Sequence, residues 1–181
     1  MSRAIGNWFW AAVAASLVVS LTPWAQFLLY PFKLFTTWVH ECGHALMTVL
    51  VGGRVTSITI EPDTSGLTHS LVPASRVARG LVASSGYLGA AVAGCLLVTA
   101  TRIEKWAHVI LLSLLAIQLA LNSVYDIRVL FLIDRGQSDA ATMARLFLLP
   151  SWVWATSWML MSVAMLSATL WMTRGRSVDH L

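Results

Sequence analysis

Apolar residues run through this chain in long blocks that charged side chains interrupt only briefly. Residues 8–32, 80–101, 106–125 and 146–173 contain no Asp, Glu, Lys or Arg, and each reaches the roughly 20 residues that cross the apolar core of a bilayer. A fifth block, LFTTWVHECGHALMTVLVGG at residues 34–53, has Glu41 as its one formal charge between Lys33 and Arg54. Five helical segments follow, at about 8–30, 33–51, 78–101, 106–132 and 148–172. Pro23 and Pro31 are expected to kink or end the first. Arg102, Glu104 and Lys105 mark a short polar turn between the third and fourth.

Between the second and third segments the period changes. GGRVTSITIEPDTSGLTHSLV sets Val55, Ile58 and Ile60 among Thr and Ser, then Pro62, Asp63 and Gly66, then Leu67 and Leu71. Alternation around a Pro-Asp-Gly-containing turn predicts a β-hairpin. A bare strand edge is not tolerated in lipid, so the hairpin is expected at the interface or packed on the helices.

Composition agrees. Hydrophobic residues make up 57% of the 181 positions and charged ones 11%, where a soluble domain carries about a quarter charged. The fold expected is an all-α integral membrane protein of about five transmembrane helices with a short hairpin between the second and third. No repeat or long polar stretch leaves room for a second unit, so residues 1–181 are read as a single membrane-embedded domain. The first segment is longer than a signal-peptide core and is read as a retained helix. Cys42 and Cys95 both lie in apolar segments and suggest neither a disulfide nor a thiolate metal site. The net charge of +4 is scattered, which suits anionic lipid headgroups and not nucleic acid. If the segments alternate in direction, Arg3, Arg54, Arg76, Arg79, Arg128, Arg135 and Arg145 share one side, against Lys33, Arg102, Lys105, Arg174 and Arg176. That majority places the N-terminus and hairpin on the cytoplasmic side of a cell membrane.

The chemistry lies in HECGH, residues 40–44. Ionisable side chains inside a bilayer cost about 2.5–3.5 kcal/mol each on insertion scales and mark functional sites. On a helix, His40 and His44 share a face and can offer two ring nitrogens to one metal ion, with Glu41 beside them. Two imidazoles suit Zn²⁺, and a catalytic site needs a third protein ligand and an open position. Glu41 then acts as general base on a water that attacks a carbonyl polarised by the metal.

HECGHALMTVLVGGRV, the hairpin after it and the Gly-rich GLVASSGYLGAAVAG resemble the site-2 protease family of intramembrane zinc metallopeptidases, and most of all its small, compact branch. The resemblance implies His40 and His44 as zinc ligands, Glu41 as the base, and an Asp on a later helix as third ligand. It also implies that the hairpin holds a protein substrate as an added strand, for which the edge near residues 55–60 is the candidate, and that the Gly86, Gly89 and Gly94 seam lies beside the active site.

Asp126 is the leading candidate for the third ligand, because it is embedded in a mainly apolar helical segment with Asn122 one turn earlier. Straight parallel helices would not bring it level with His40 and His44, since it lies roughly 30 Å from a helix begun at Trp106. Asp139 is the competitor: Ser138-Asp139 reads as an N-cap opening an amphipathic helix, although the SDA element also resembles the compact branch. Asp134, beside Arg135, reads as an interfacial charge. The function expected is hydrolysis of a peptide bond in or near a transmembrane segment of another protein. The alternative is a non-catalytic membrane protein of the same fold, using its metal site for stability or partner binding.

Overall fold

The computed structural model describes residues 26–100 and 138–174 of the chain. Their order is α1 (Gln26–Leu50), β1 (Arg54–Ile60), β2 (Gly66–Leu71), α2 (Arg76–Ala100), α3 (Asp139–Phe147) and α4 (Ser151–Arg174). The expected segments at 33–51, 78–101 and 148–172 correspond to α1, α2 and α4. Most of the first segment and all of the expected fourth segment, 106–132, lie outside the described residues. Among the described residues two helices, α2 and α4, are long and apolar enough to cross a membrane.

Pro31 does not end a helix. It lies inside α1, which runs on through it to Leu50. The motif helix therefore reaches back at least to Gln26, ahead of the expected start near residue 33. It ends at Leu50 and is followed by Gly52, whose φ of +80° belongs to the left-handed region. The Gly52 N–H donates to the Val49 carbonyl and that of Gly53 to Thr48 at 2.8 Å, closing the last turn before the chain enters β1.

α1 is polar on the inside and apolar on the outside. Thr36, Thr37, Glu41, His44 and Thr48 are buried, whereas Phe27, Trp38, Leu46, Val49 and Leu50 are exposed. Water would favour the reverse arrangement. In lipid the apolar face needs no cover, while polar groups must find partners inside the protein.

The hairpin lies along this polar face. β1 and β2 pair antiparallel, from Arg54 opposite Leu71 to Ile60 opposite Gly66, with a bulge between Val55 and Ser57. Asp63 tightens the turn by accepting from the Ser65 N–H at 3.0 Å and the Ser65 hydroxyl at 2.7 Å, bonds that hold its carboxyl below the usual range. The turn is tied to α1 by the Tyr30 hydroxyl donating to the Pro62 carbonyl (3.0 Å) and the Thr37 hydroxyl donating to that of Thr64 (2.8 Å). Thr48 on α1 meets Ser70 further along β2. The sequence pattern thus gave the two strands correctly, and the structure packs them on the helix.

α1 and α2 pack closely where Gly43 faces Ser85 and Gly86: a Cβ on Gly43 would run into the Ser85 carbonyl and stand 3.3 Å from the Gly86 Cα. Gly89 takes part in the same crossing, since its own Cβ would stand 3.4 Å from the Gly43 Cα. Gly86 and Gly89 of the seam expected in the third segment therefore lie where the motif helix docks. On the other side of α2, Ala83 and Tyr87 form a core with Ala140 and Met143 of α3 and with Ala155 and Trp158 of α4. Gly80 makes room there for the Phe147 ring.

Candidate metal centre

His40 and His44, one turn apart on α1, turn their Nε2 atoms toward one another at 3.0 Å. The third group between them is Asp139. Its Oδ2 lies 3.1 Å from His40 Nε2 and 3.1 Å from His44 Nε2, although 99 residues separate it from His40. The three donor atoms form a near-equilateral triangle. Its edges are shorter than twice a zinc–ligand distance of roughly 2.0–2.2 Å, so one ion can touch all three.

Local structure fixes the direction of each donor. The Nδ1 of His44 faces the Val82 carbonyl of α2 at 2.7 Å. A carbonyl only accepts, so Nδ1 carries the hydrogen, and in the neutral ring Nε2 is a lone pair aimed at the triangle. His40 is wedged edge-on between the His44 ring and Tyr87, with centroids 4.7 Å from each. Tyr87 in turn stacks on Trp158 at 5.0 Å. The ring order His40, Tyr87, Trp158 therefore runs from α1 across α2 to α4, and rotating the imidazole would disturb that stack.

Asp139 does two things at once. Ser138, in an extended conformation, caps α3 by accepting from the Ala141 N–H at 3.2 Å. Asp139 itself is the first helical residue, and its side chain is left to reach the imidazoles. Burial opposes its ionisation, but hydrogen bonding from His40 and His44 and their charge outweigh that, lowering its pKa to about 2. An anionic carboxylate with two imidazole nitrogens turned toward one another and toward it calls for a cation at the centre, a proton or a metal ion.

Gly86 supplies the space. A Cβ at this position of α2 would collide with His40 Nε2 and lie 2.6 Å from His44 Nε2. A glycine here leaves open the volume beside both nitrogens that an ion would take. Donor chemistry, spacing and free volume all fit a divalent metal, and His40, His44 and Asp139 are the group of three able to hold one among the described residues.

Glu41 is buried, 6% exposed, and its carboxylate meets the hairpin. Its Oε2 accepts from the Thr68 hydroxyl of β2 at 2.7 Å. Gly66 lies against the same carboxylate, with the position of a Cβ 3.0 Å from Oε1. Of the residues expected on α1, His40 and His44 converge on one point with Asp139, while the Glu41 carboxylate meets the hairpin. Asp126 lies outside the described residues, as do Asp134, His108 and His180. The carboxylate found beside His40 and His44 is that of Asp139, and the SDA element was the signal for it. Thr68, Gly66 and Tyr87 had no such signal, because their roles arise only when the hairpin and α2 fold onto α1. His69, expected to be solvated, is exposed on the outer face of β2.

A family model described as Peptidase M50B-like matches the chain over residues 10–121 and 100–169. The chain belongs to the Peptidase M50B-like family. That membership is the site-2 protease kinship that the HECGH segment resembles, and it covers both α1 with its two imidazoles and α3 with Asp139. Comparison with curated proteins gave no match, and neither did comparison with solved structures.

Proposed function

We propose that this M50B-like chain is an intramembrane zinc endopeptidase that hydrolyses a peptide bond in or near a transmembrane segment of a protein substrate. The observation that carries the reading is the convergence of His40, His44 and Asp139 within 3.0–3.1 Å of one another, with the buried Glu41 carboxylate next in sequence to His40. Zinc held by those three would leave one position open and would supply the Lewis acidity that activates water and polarises the scissile carbonyl. Glu41 takes the proton of the attacking water and returns it to the departing amine nitrogen. Glu41 and His44 are buried within the fold, whereas the side chains of His40 and Asp139 are 19% and 24% exposed.

A helical substrate must become extended before its carbonyl is accessible, and an extended chain in lipid needs partners for its backbone. We assign that role to the edge of the hairpin near residues 55–60. The charge majority supports a multi-pass arrangement in the cell membrane with the N-terminus and hairpin cytoplasmic.

Zinc content and cleavage are to be measured together in detergent. Glu41→Gln should keep the metal and lose cleavage by at least about 100-fold, in line with a positioned base. Undiminished cleavage, or zinc held by four protein ligands with no open position, would replace the endopeptidase with a non-catalytic metal-stabilised protein.

A further inference from the structure

Glu41 is held from outside its own helix. The Thr68 hydroxyl lies 2.7 Å from Glu41 Oε2 and 3.0 Å from the Glu41 carbonyl oxygen. It has one proton and can give it to only one of them at a time. The carbonyl lies inside α1 and is served by the helix ladder, and a hydrogen bond to a carboxylate is roughly twice as strong as one to a neutral acceptor. Oε2 is therefore the engaged oxygen. Beside Oε1 stands Gly66, where the missing Cβ would be 3.0 Å from that oxygen and 2.8 Å from Glu41 Cγ. One carboxylate oxygen is thus held by the Thr68 hydroxyl, and Gly66 keeps a side chain out of the space beside the other.

We infer that Thr68 is a positioning residue for the general base: its hydroxyl fixes Oε2, so that Oε1 is the oxygen that meets the water. In the reaction a water O–H bond breaks and an Oε1–H bond forms as the oxygen attacks the carbonyl carbon. The same proton then passes from Oε1 to the leaving nitrogen as the C–N bond breaks. This inference rests on the endopeptidase reading and adds a coupling to it. The element proposed to receive the substrate strand is also the element that aims the base, so seating the substrate and orienting Glu41 involve one hairpin. A loss of the hydroxyl acts on turnover and leaves binding in place.

Three variants separate this role from a latch that merely holds the hairpin down. Thr68→Val keeps the β-branched shape and removes the donor, Thr68→Ala removes the donor without bulk, and Thr68→Ser keeps the donor. Each is assayed as the full chain in detergent with zinc content checked, on a panel of tagged single-span peptides whose central turn is weakened by Gly and Pro. Isotope-edited infrared spectra with carboxyl-labelled Glu, subtracted against Glu41→Gln, isolate the Glu41 band without any substrate. Both donorless variants should lower kcat about 10–100-fold, part of the 10²–10⁴-fold a positioned base contributes, with KM within about twofold and the Glu41 band shifted. Thr68→Ser should restore kcat and band together. A band unmoved by loss of the hydroxyl, or a Thr68→Ser as impaired as Thr68→Val, overturns the role of Thr68 and leaves the endopeptidase standing if the wild type cleaves. A wild type that cleaves no peptide while the band still shifts overturns the endopeptidase itself, and with it the proton transfer assigned here.

Discussion

At the scale of single residues, the centre depends on one atom that is absent. Alanine is the better helix former, by roughly 0.5–1 kcal/mol over glycine in a helix interior, so Gly86→Ala on α2 would ordinarily stabilise. Here the added methyl would displace both imidazole nitrogens, the nearer position being that beside His40. The rings are side chains and can turn away, so the helix survives and the triangle does not. We expect Gly86→Ala to keep its helical circular dichroism and to lose zinc affinity by at least about 100-fold, the upper end of what neighbours of a metal site contribute. Isothermal titration with zinc checks it, and unchanged affinity would remove Gly86 from the centre. The same titration separates the two carboxylates. Asp139→Asn deprives the triangle of its anion and should abolish stoichiometric zinc binding, whereas Asp126→Asn should retain it. The reverse result would return the third ligand to Asp126. Asp139 was hard to read from the chain because its immediate neighbours explain it so well locally: Ser138 does cap α3. Nothing within a few residues says that the next carboxylate reaches back 99 positions to His40.

At the scale of elements, what was legible is what depends on period and length. The alternation in residues 54–71 gave both strands of the hairpin, and the apolar blocks gave α2 and α4, since strand period and span length are written locally. The continuation of α1 through Pro31 was not legible, because a proline is compatible with either a helix end or a kink within one and only tertiary packing chooses. The Gly43, Gly86 and Gly89 crossing shows how sequence and packing meet. Gly43→Ala brings the same helix-propensity gain as Gly86→Ala, but its methyl meets the backbone carbonyl of Ser85, which cannot turn aside as a ring can. Overpacking of this kind costs about 1–3 kcal/mol and outweighs the gain. Gly43→Ala should therefore lower the thermal midpoint in detergent about equally with or without zinc, whereas Gly86→Ala should lower it more with zinc than without. A midpoint at or above wild type for Gly43→Ala would mean that α1 and α2 do not rely on this approach.

At the scale of the whole molecule, the metal centre is also a joint. α1 reaches α3 through His40, His44 and Asp139, while α3 is otherwise held by the apolar core it shares with α2 and α4. Apart from Leu29, the buried residues of α1 are threonines, a carboxylate and the His44 imidazole. Such groups gain little from burial and rely on specific partners, which are the hairpin on one side and the metal ligands on the other. An ion that binds the folded protein alone stabilises it by about 2.7 kcal/mol at a free concentration one hundred times its Kd, and about 4.1 kcal/mol at one thousand times. A chelator should remove this term in the wild type and in Glu41→Gln alike, because Glu41 is not among the donors. In Asp139→Asn, which has lost the anion of the triangle, the chelator should change nothing. Thermal scans in detergent, with and without chelator and after zinc is restored, measure all three proteins in one series. If the wild type and Asp139→Asn respond equally, zinc binds elsewhere and the three converging side chains are a proton-bridged cluster. If only Glu41→Gln fails to respond, the carboxylate beside His40 is itself a ligand, and the base must be sought among other residues.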